Sequence, residues 1–345
     1  MDEATLQALL KKGSQHAASD VLLKVGQPPA FRVRGELHYL QGEALRPEQT
    51  KRFSEIVLSR SRFDGDVDRL QEYDCSYGVS GVGRYRCNIY RQRGTLAMAM
   101  RAIPTDIPSF DQLGLPPVIR TLSDVERGMI LCVGAAGNGK SSTLAAMVGH
   151  INQNRRAHIV TIEDPIEFVH RDQLSALSQR EIGLDSPNFG SALRAALRQD
   201  PDVILVGEIR DEETMEIGLK AAETGHLVLS TLHTPDVGRT MGRVLSLIAD
   251  GDSNDTRERF ADNLKGIIAQ RLLPATHGGR VVAVEALVVT GTARESIRNP
   301  KNSMPLKDVM ERGVHPYGMQ TFEMALSDLL KQGLITQEVA KAAMG

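Results

Sequence analysis

Residues 130–147 read ILCVGAAGNGKSSTLAAM. An apolar run stops at a glycine, a short polar loop follows, and a lysine with two serines opens a second apolar stretch. Gly134, Ala135, Ala136, Gly137, Asn138, Gly139, Lys140 and Ser141 satisfy the spacing G-x-x-x-x-G-K-[ST]. Glycines let the backbone curl so that several N–H groups converge on an anion, and the following helix aims its positive end at the same point. Lys140 would then neutralise the β- and γ-phosphates, and the Ser141 hydroxyl would ligate Mg2+. Ser142 completes the expected nucleotide-binding stretch. The motif means something only between a strand and a helix, and the flanking runs supply both.

The surrounding texture extends the reading. MILCVG, HIVTIE, DVILVGE and HLVLSTL are unbroken apolar runs, separated by the helical patterns KSSTLAAMVGHINQ, NFGSALRAALRQ and EETMEIGLKAAE. Such alternation predicts a parallel sheet covered on both faces, an α/β fold. Ligands of such sheets lie beyond the carboxyl ends of the strands. There the chain places Glu163 after HIVTI, Glu208 after DVILVG and His233 after HLVLSTL. One carboxylate can hold Mg2+ or its waters while another polarises the attacking water. We assign Glu163 as base and Glu208, with Ser141, to the metal side. Each acid alone could be an ordinary strand-end charge, but three such residues at one end of successive strands form a set. His226 falls at the other end of its strand and reads as structural or as an inter-subunit contact.

Residues 21 to 103 differ. FRVRGEL and RYRCNIYRQRG alternate apolar and polar residues and stop at glycines, the pattern of a half-exposed antiparallel sheet. A helix is expected from Pro47. We therefore expect a small α+β domain over 1–102 and a proline-rich linker or wrapped connector over 103–117. The second domain should cover 118–345, its last hundred residues mainly helical. Arginines at 84, 86, 91, 93, 101, 194 and 198 are mostly expected to be solvated. One or two could reach a neighbouring subunit's γ-phosphate, and the turn bearing Arg91 and Arg93 is the favoured source.

Composition narrows the alternatives. The chain has 345 residues, 41 Lys plus Arg against 43 Asp plus Glu, and a net charge of -2, without the basic excess of a general nucleic-acid binder. Aromatics make up 4% with no Trp, which argues against base stacking. Cys75, Cys87 and Cys132 are scattered and never form C-x-x-C, so a disulfide framework or structural zinc is not expected. The amino terminus lacks a signal-peptide pattern, and no apolar stretch nears the roughly 20 residues of a membrane span. A soluble, cytoplasmic protein is expected.

The segments TIEDPIEFVH, ALRAALRQDPDVILVGEIRDEET, AAETGHLVLSTLHT and NIYRQRG closely resemble the secretion-superfamily ATPases, above all the type IV pilus retraction ATPases of the PilT type. The resemblance implies a PAS-like amino-terminal domain, a RecA-like P-loop domain and a hexamer holding ATP between subunits. It further implies a motor that disassembles a pilus through an inner-membrane platform protein, on whose cytoplasmic side it docks. Carried over, an acidic box begins at Glu163, a second acidic strand ends at Glu208, and a histidine box runs from His226 to His233, which adds His226 to the nucleotide-site candidates. Three departures stand out. The loop reads GAAGNGKSS where the family has GPTGSGKST; Gly242 replaces an acid; and TARESIRNPK stands for AIRNLIREGK, with Pro300 expected to break a helix. An accessory paralogue is one alternative. A pilus-assembly or type II secretion motor is another, although those relatives carry a four-cysteine insertion absent here. A weakly hydrolysing scaffold subunit is a third, and the presence of both Glu163 and Glu208 argues against it.

Overall fold

The computed structural model describes residues 2–248 and 254–344. They group into two compact units, and the division is not a single cut. One unit holds Met1–Asp106 together with Asp164–Val169 and Glu181–Pro187; the other holds Ile107–Glu163, His170–Arg180 and Asn188–Gly345.

The first unit contains α1 (Glu3–Gln15), β1 (Asp20–Leu23), β2 (Ala30–Val33), β3 (Glu36–Tyr39), α2 (Pro47–Leu58), β4 (Glu72–Val79), β5 (Gly83–Gln92) and β6 (Thr95–Ile103). Its sheet runs β3-β2-β1-β6-β5-β4 with antiparallel pairings throughout. The alternation in β5 does what period two demands: Tyr85, Cys87 and Ile89 are buried while Arg86 is exposed. Helix α2 opens on Pro47, where a missing N–H costs nothing, and the Gln49 side chain accepts the Arg46 N–H at 2.7 Å. Its Phe53 and Val57 join Leu6 and Leu10 of α1 in the core over the sheet.

The second unit begins with packed connector rather than free chain. Phe110 and Leu115 of the proline-rich stretch are buried in the same core as Val118 and Ile130. Then follow α3 (Val118–Ser123), β7 (Gly128–Val133), α4 (Lys140–Asn154), β8 (His158–Glu163), β9 (Ala176–Glu181), α5 (Phe189–Ala196), β10 (Val203–Val206), α6 (Glu212–Glu223) and β11 (Leu227–Leu232). After α7 (Val237–Leu247) and α8 (Asn254–Asn263) come β12 (Leu264–Pro274) and β13 (Arg280–Val288). The chain ends with α9 (Gly291–Arg298), α10 (Leu306–Arg312), α11 (Phe322–Lys331) and α12 (Gln337–Met344). The sheet order is β13-β12-β7-β11-β10-β8-β9. Strands β12, β7, β11, β10 and β8 run parallel, and every residue of β7, β10 and β11 is buried. Continuous apolar runs are what a doubly covered sheet requires.

The carboxy-terminal part holds more helix than strand, as expected, but strands β12 and β13 are an addition that the expectation lacked. LKGIIAQRLLP carries a short apolar run with no period to tell strand from helix. The clearer signal is Gly278-Gly279, both at positive φ, in the hairpin joining the two strands. Helix α9 stops at Arg298, with Asn299 as its cap and Pro300 next, as proline's missing N–H dictates. Among the described residues no helix is long and apolar enough to cross a membrane.

His170, ahead of β9, has its Nδ1 buried without a hydrogen-bond partner among the described residues, and burial lowers its pKa from 6.5 to about 4. The folded chain therefore holds this ring neutral where the unfolded chain protonates it. Its contribution is complete above pH 6.5 and is lost as pH falls through the window from 6.5 to 4. At most about 3 kcal/mol is involved, less because solvent reaches the half-buried ring. Thermal midpoints measured across that window should fall less steeply for His170→Gln than for the wild type; parallel curves would contradict the assignment.

Candidate functional site

The phosphate-type loop leaves β7 at Gly134, whose φ is +145°, and passes Gly137 and Gly139 at +80° and +83°. Gly139 caps α4 without a side chain, so no capping side chain stands between the start of the helix and an anion. Lys140 is the first residue of α4 and is 7% exposed. Its Nζ donates to the carbonyls of Gly134 at 2.8 Å and Ala135 at 3.0 Å, so the ammonium is held over the loop. Ser141 and Ser142 follow on the same first turn, both half-buried.

A strand that sequence reading missed buttresses this loop. β12 pairs with β7 so that Ala269 lies opposite Val133. The next carbonyl, that of Gln270, stands 2.6 Å from the point where a Cβ on Gly134 would project. The Gln270 side chain, 1% exposed, accepts from the Cys132 thiol at 3.1 Å and donates to Thr143 Oγ1 at 2.8 Å. One amide thus ties the strand before the loop to the helix after it. Leu272 N–H donates to Asn138 Oδ1 at 3.2 Å, holding the loop's far side. Burial pushes the Cys132 thiol up to about 12, against the opposing pull of the Lys140 charge, so it stays protonated and able to donate.

The three strand-tip residues come to the same end of the sheet. Register pairs Ile162 with Val206, Val206 with Ser230, and Leu232 with Val133. Glu163, Glu208 and His233 therefore leave β8, β10 and β11 at the edge where the loop leaves β7. Gly207 lets β10 pass close to its neighbour: its N–H donates to Ile162 at 2.8 Å, and a Cβ there would lie 3.4 Å from the Glu163 Cα. Glu163 Oε1 accepts from Thr161 Oγ1 at 2.7 Å and from Gln179 Nε2 of β9 at 3.2 Å. The Glu208 side chain is 13% exposed; one oxygen pairs with Arg210, and the other lies 3.2 Å from His233 Nε2. A carboxylate brings no proton, so Nε2–H is the donor. The chain after His233 is fixed in turn. Thr234 and Thr240 hydroxyls meet at 2.7 Å, and buried Glu285 accepts the Val237 N–H of α7 at 2.8 Å and the Phe322 N–H of α11 at 3.4 Å. Burial pushes the Glu285 carboxyl up, while those two N–H donors oppose the rise.

Two candidates make other contacts within the chain. His226 precedes β11 at the end opposite His233, about 23 Å away if the chain between them is extended. Its Nδ1 lies 2.9 Å from the Ala221 carbonyl and 3.2 Å from Thr224 Oγ1, at the carboxyl end of α6. It caps that helix and does not face its own chain's phosphate loop. Arg91 is no free finger either. Nε donates to Leu70 O at 3.0 Å, Nη1 to Gly94 O at 2.9 Å, and Nη2 to Asp68 O at 2.8 Å and Val67 O at 3.4 Å. Its guanidinium clamps the chain entering β4. Arg93, in the adjoining turn with φ +47°, is exposed. Several other arginines form ion pairs: Arg101 with Asp20 and Arg194 with Glu213 at exposed positions, as solvated residues can, and Arg84, against that expectation, with buried Glu181, which also accepts the Ile166 N–H at 3.1 Å.

Residues 99–310 match the family described as type II/IV secretion system protein. The chain is 38% identical over 335 residues to the type IV pilus retraction ATPase PilT of Pseudomonas aeruginosa, covering 96% of each sequence. It is 39% identical over 343 residues to the type IV pilus ATPase PilU of the same organism, covering 99% of this chain and 87% of that one. The crystal structure of the pilus retraction motor PilT with bound ADP matches with a TM-score of 0.85 at 41% identity, covering 98% of this chain and 96% of that one.

Two substitutions probe the geometry. Gly134→Ala drives a methyl group against the Gln270 carbonyl and strains a backbone at φ +145°; nucleotide affinity should drop about tenfold or more, the equivalent of 1–3 kcal/mol of strain. A fluorescent-nucleotide titration with an unchanged Kd would refute the buttress. Arg91→Ala should lower unfolding stability by about 1–3 kcal/mol and leave turnover per folded chain intact. Loss of turnover with an unchanged melting midpoint would restore Arg91 as a catalytic candidate.

Proposed function

Since the chain belongs to the type II/IV secretion system protein family and is an ATPase of the PilT type, with a RecA-like domain preceded by an amino-terminal domain, we propose that it is a hexameric, Mg-ATP-driven motor for type IV pilus retraction. The observation that carries the reading is the convergence of the Lys140 loop with the tips bearing Glu163, Glu208 and His233, in a chain alike to a retraction ATPase over 96% of its length.

In this reading the loop N–H groups and Lys140 hold the β- and γ-phosphates, which removes charge repulsion as the γ-phosphoryl group departs. Glu163, oriented by Thr161 and Gln179, accepts hydrogen-bonding from the attacking water and aligns it. Ser141 and Glu208 offer hard oxygen donors, and Mg2+ ordinarily takes one or two such groups beside the nucleotide's phosphates. Bound there, Mg2+ supplies charge neutralisation for the phosphates. His233 orients Glu208. Arg93, rather than Arg91, is the arginine of that turn able to reach a second subunit, because the Arg91 guanidinium is already held by four carbonyls. The protein works on the cytoplasmic side of the inner membrane, against a platform protein of the pilus machine. A second reading, an accessory paralogue of the retraction motor, draws support from the equal likeness to PilU and from the end of α9 ahead of Pro300.

Turnover and nucleotide binding should separate the roles. Glu163→Gln and Glu208→Gln are expected to lower kcat by about 10²–10⁴ while retaining nucleotide, whereas Lys140→Ala should fail to bind it. Wild-type rates in both glutamine variants would remove the assignment. Specific activity should vanish on dilution to monomers; a constant rate per chain would exclude a shared site. In the native host, deletion should leave pili that accumulate and do not retract if this is the motor, and pili that still retract if it is the accessory.

A further inference from the structure

Two thiols that look unrelated in the sequence meet across a strand pair. Cys75 of β4 and Cys87 of β5 stand directly opposite one another in antiparallel register. Both side chains point to the inward face. Cys87 is fully buried among Tyr77, Tyr85 and Ile89, and Cys75 is half-buried against the same core. Directly opposed residues of an antiparallel pair have Cα atoms about 4.5 or 5.5 Å apart, both inside the span of roughly 4.4–6.8 Å that a disulfide bridges. The Cys87 thiol lies 3.7 Å from the Tyr85 carbonyl. We propose that Cys75 and Cys87 form an oxidative modification site, closing to an intramolecular cross-strand disulfide when the oxidant is hydrogen peroxide.

The order of events follows from burial. Desolvation pushes the Cys87 thiol well above its ordinary range, with the neighbouring Cys75 thiol adding to the rise, so Cys87 is seldom a thiolate. Cys75 is the half-buried partner and reacts first. Its thiolate attacks one peroxide oxygen; the S–O bond forms, the O–O bond breaks, and the departing hydroxide takes a proton to become water. The Cys87 sulfur then attacks the resulting sulfenic sulfur. The S–S bond forms, the S–O bond breaks, and the second hydroxide leaves as water with the proton of Cys87. Two thiols are oxidised by two electrons in total, and one peroxide is reduced to two waters. Cys132 takes no part: it is fully buried and its thiol donates to Gln270 in the other unit. The bond would staple β4, an edge strand, to β5, the strand whose end carries Arg91.

The full chain, reduced and then exposed to graded hydrogen peroxide, provides the test. Alkylation should show two of the three thiols lost together, and the intact mass should fall by two hydrogens. Peptides containing Cys75 and Cys87 should be found joined, and dithiothreitol should separate them. In Cys75→Ser the joined peptide should be absent, with the thiols of Cys87 and Cys132 both retained. Conversion of Cys75 to sulfinic acid while Cys87 still alkylates, or cross-linking of separate chains through Cys75, would overturn the proposal.

Discussion

A single backbone carbonyl, that of Gln270, governs the shape of the phosphate loop. Parallel pairing of β12 with β7 brings it to the point where β7 ends, leaving no room for any side chain at residue 134. The same residue's amide then spans Cys132 and Thr143, so strand, loop and helix are tied to one position over 120 residues further along the chain. Because side chains alternate along a strand, a one-residue slip of β12 would turn that amide away and put Arg271 or Ala269 in its place. The loop's conformation is in this sense a property of the sheet.

The remaining polar groups follow from how the other strands end. β10 and β11 deliver an acid and an imidazole that find each other at 3.2 Å, and Arg210 completes the charge compensation of a carboxylate only 13% exposed. An isolated carboxylate so enclosed would be strongly disfavoured. Gly207 keeps β8 and β10 close, which brings Glu163 beside the Glu208 strand without a bulky residue between them. Glu285 gives α7 a firm start by accepting N–H groups from two helices, one of them far later in the chain.

Much of this is legible in the sequence. Continuous Val/Ile/Leu runs identified β7, β8, β10 and β11, because a sheet covered on both faces leaves no polar alternation to hide them. Glycine spacing located the loop, and strand ends located Glu163, Glu208 and His233. β12 and β13 were not legible because short apolar runs lack a distinguishing period, and with β12 went Gln270 and Leu272, whose part depends on pairing. Arg91 looks like a projecting charge since nothing local reveals that the carbonyls of residues 67, 68 and 70 turn toward it. His226 was drawn into the site by family likeness, although its distance from His233 along the strand already argued otherwise. Cys75 and Cys87 looked scattered because only register makes them neighbours.

The threading of the chain between its two units has a consequence for anyone dissecting the protein. The backbone passes from one unit to the other after Asp106, Glu163, Val169, Arg180 and Pro187. A fragment starting at the proline-rich stretch would therefore still carry residues 164–169 and 181–187, cut off from the unit they pack in. Among them Ile166 and Glu181 are 5% and 4% exposed, and Glu181 pairs with Arg84 of the same unit. Excision at the proline-rich stretch would therefore leave Glu181 without its Arg84 partner and strip the segment that follows Glu163 of the unit it packs in.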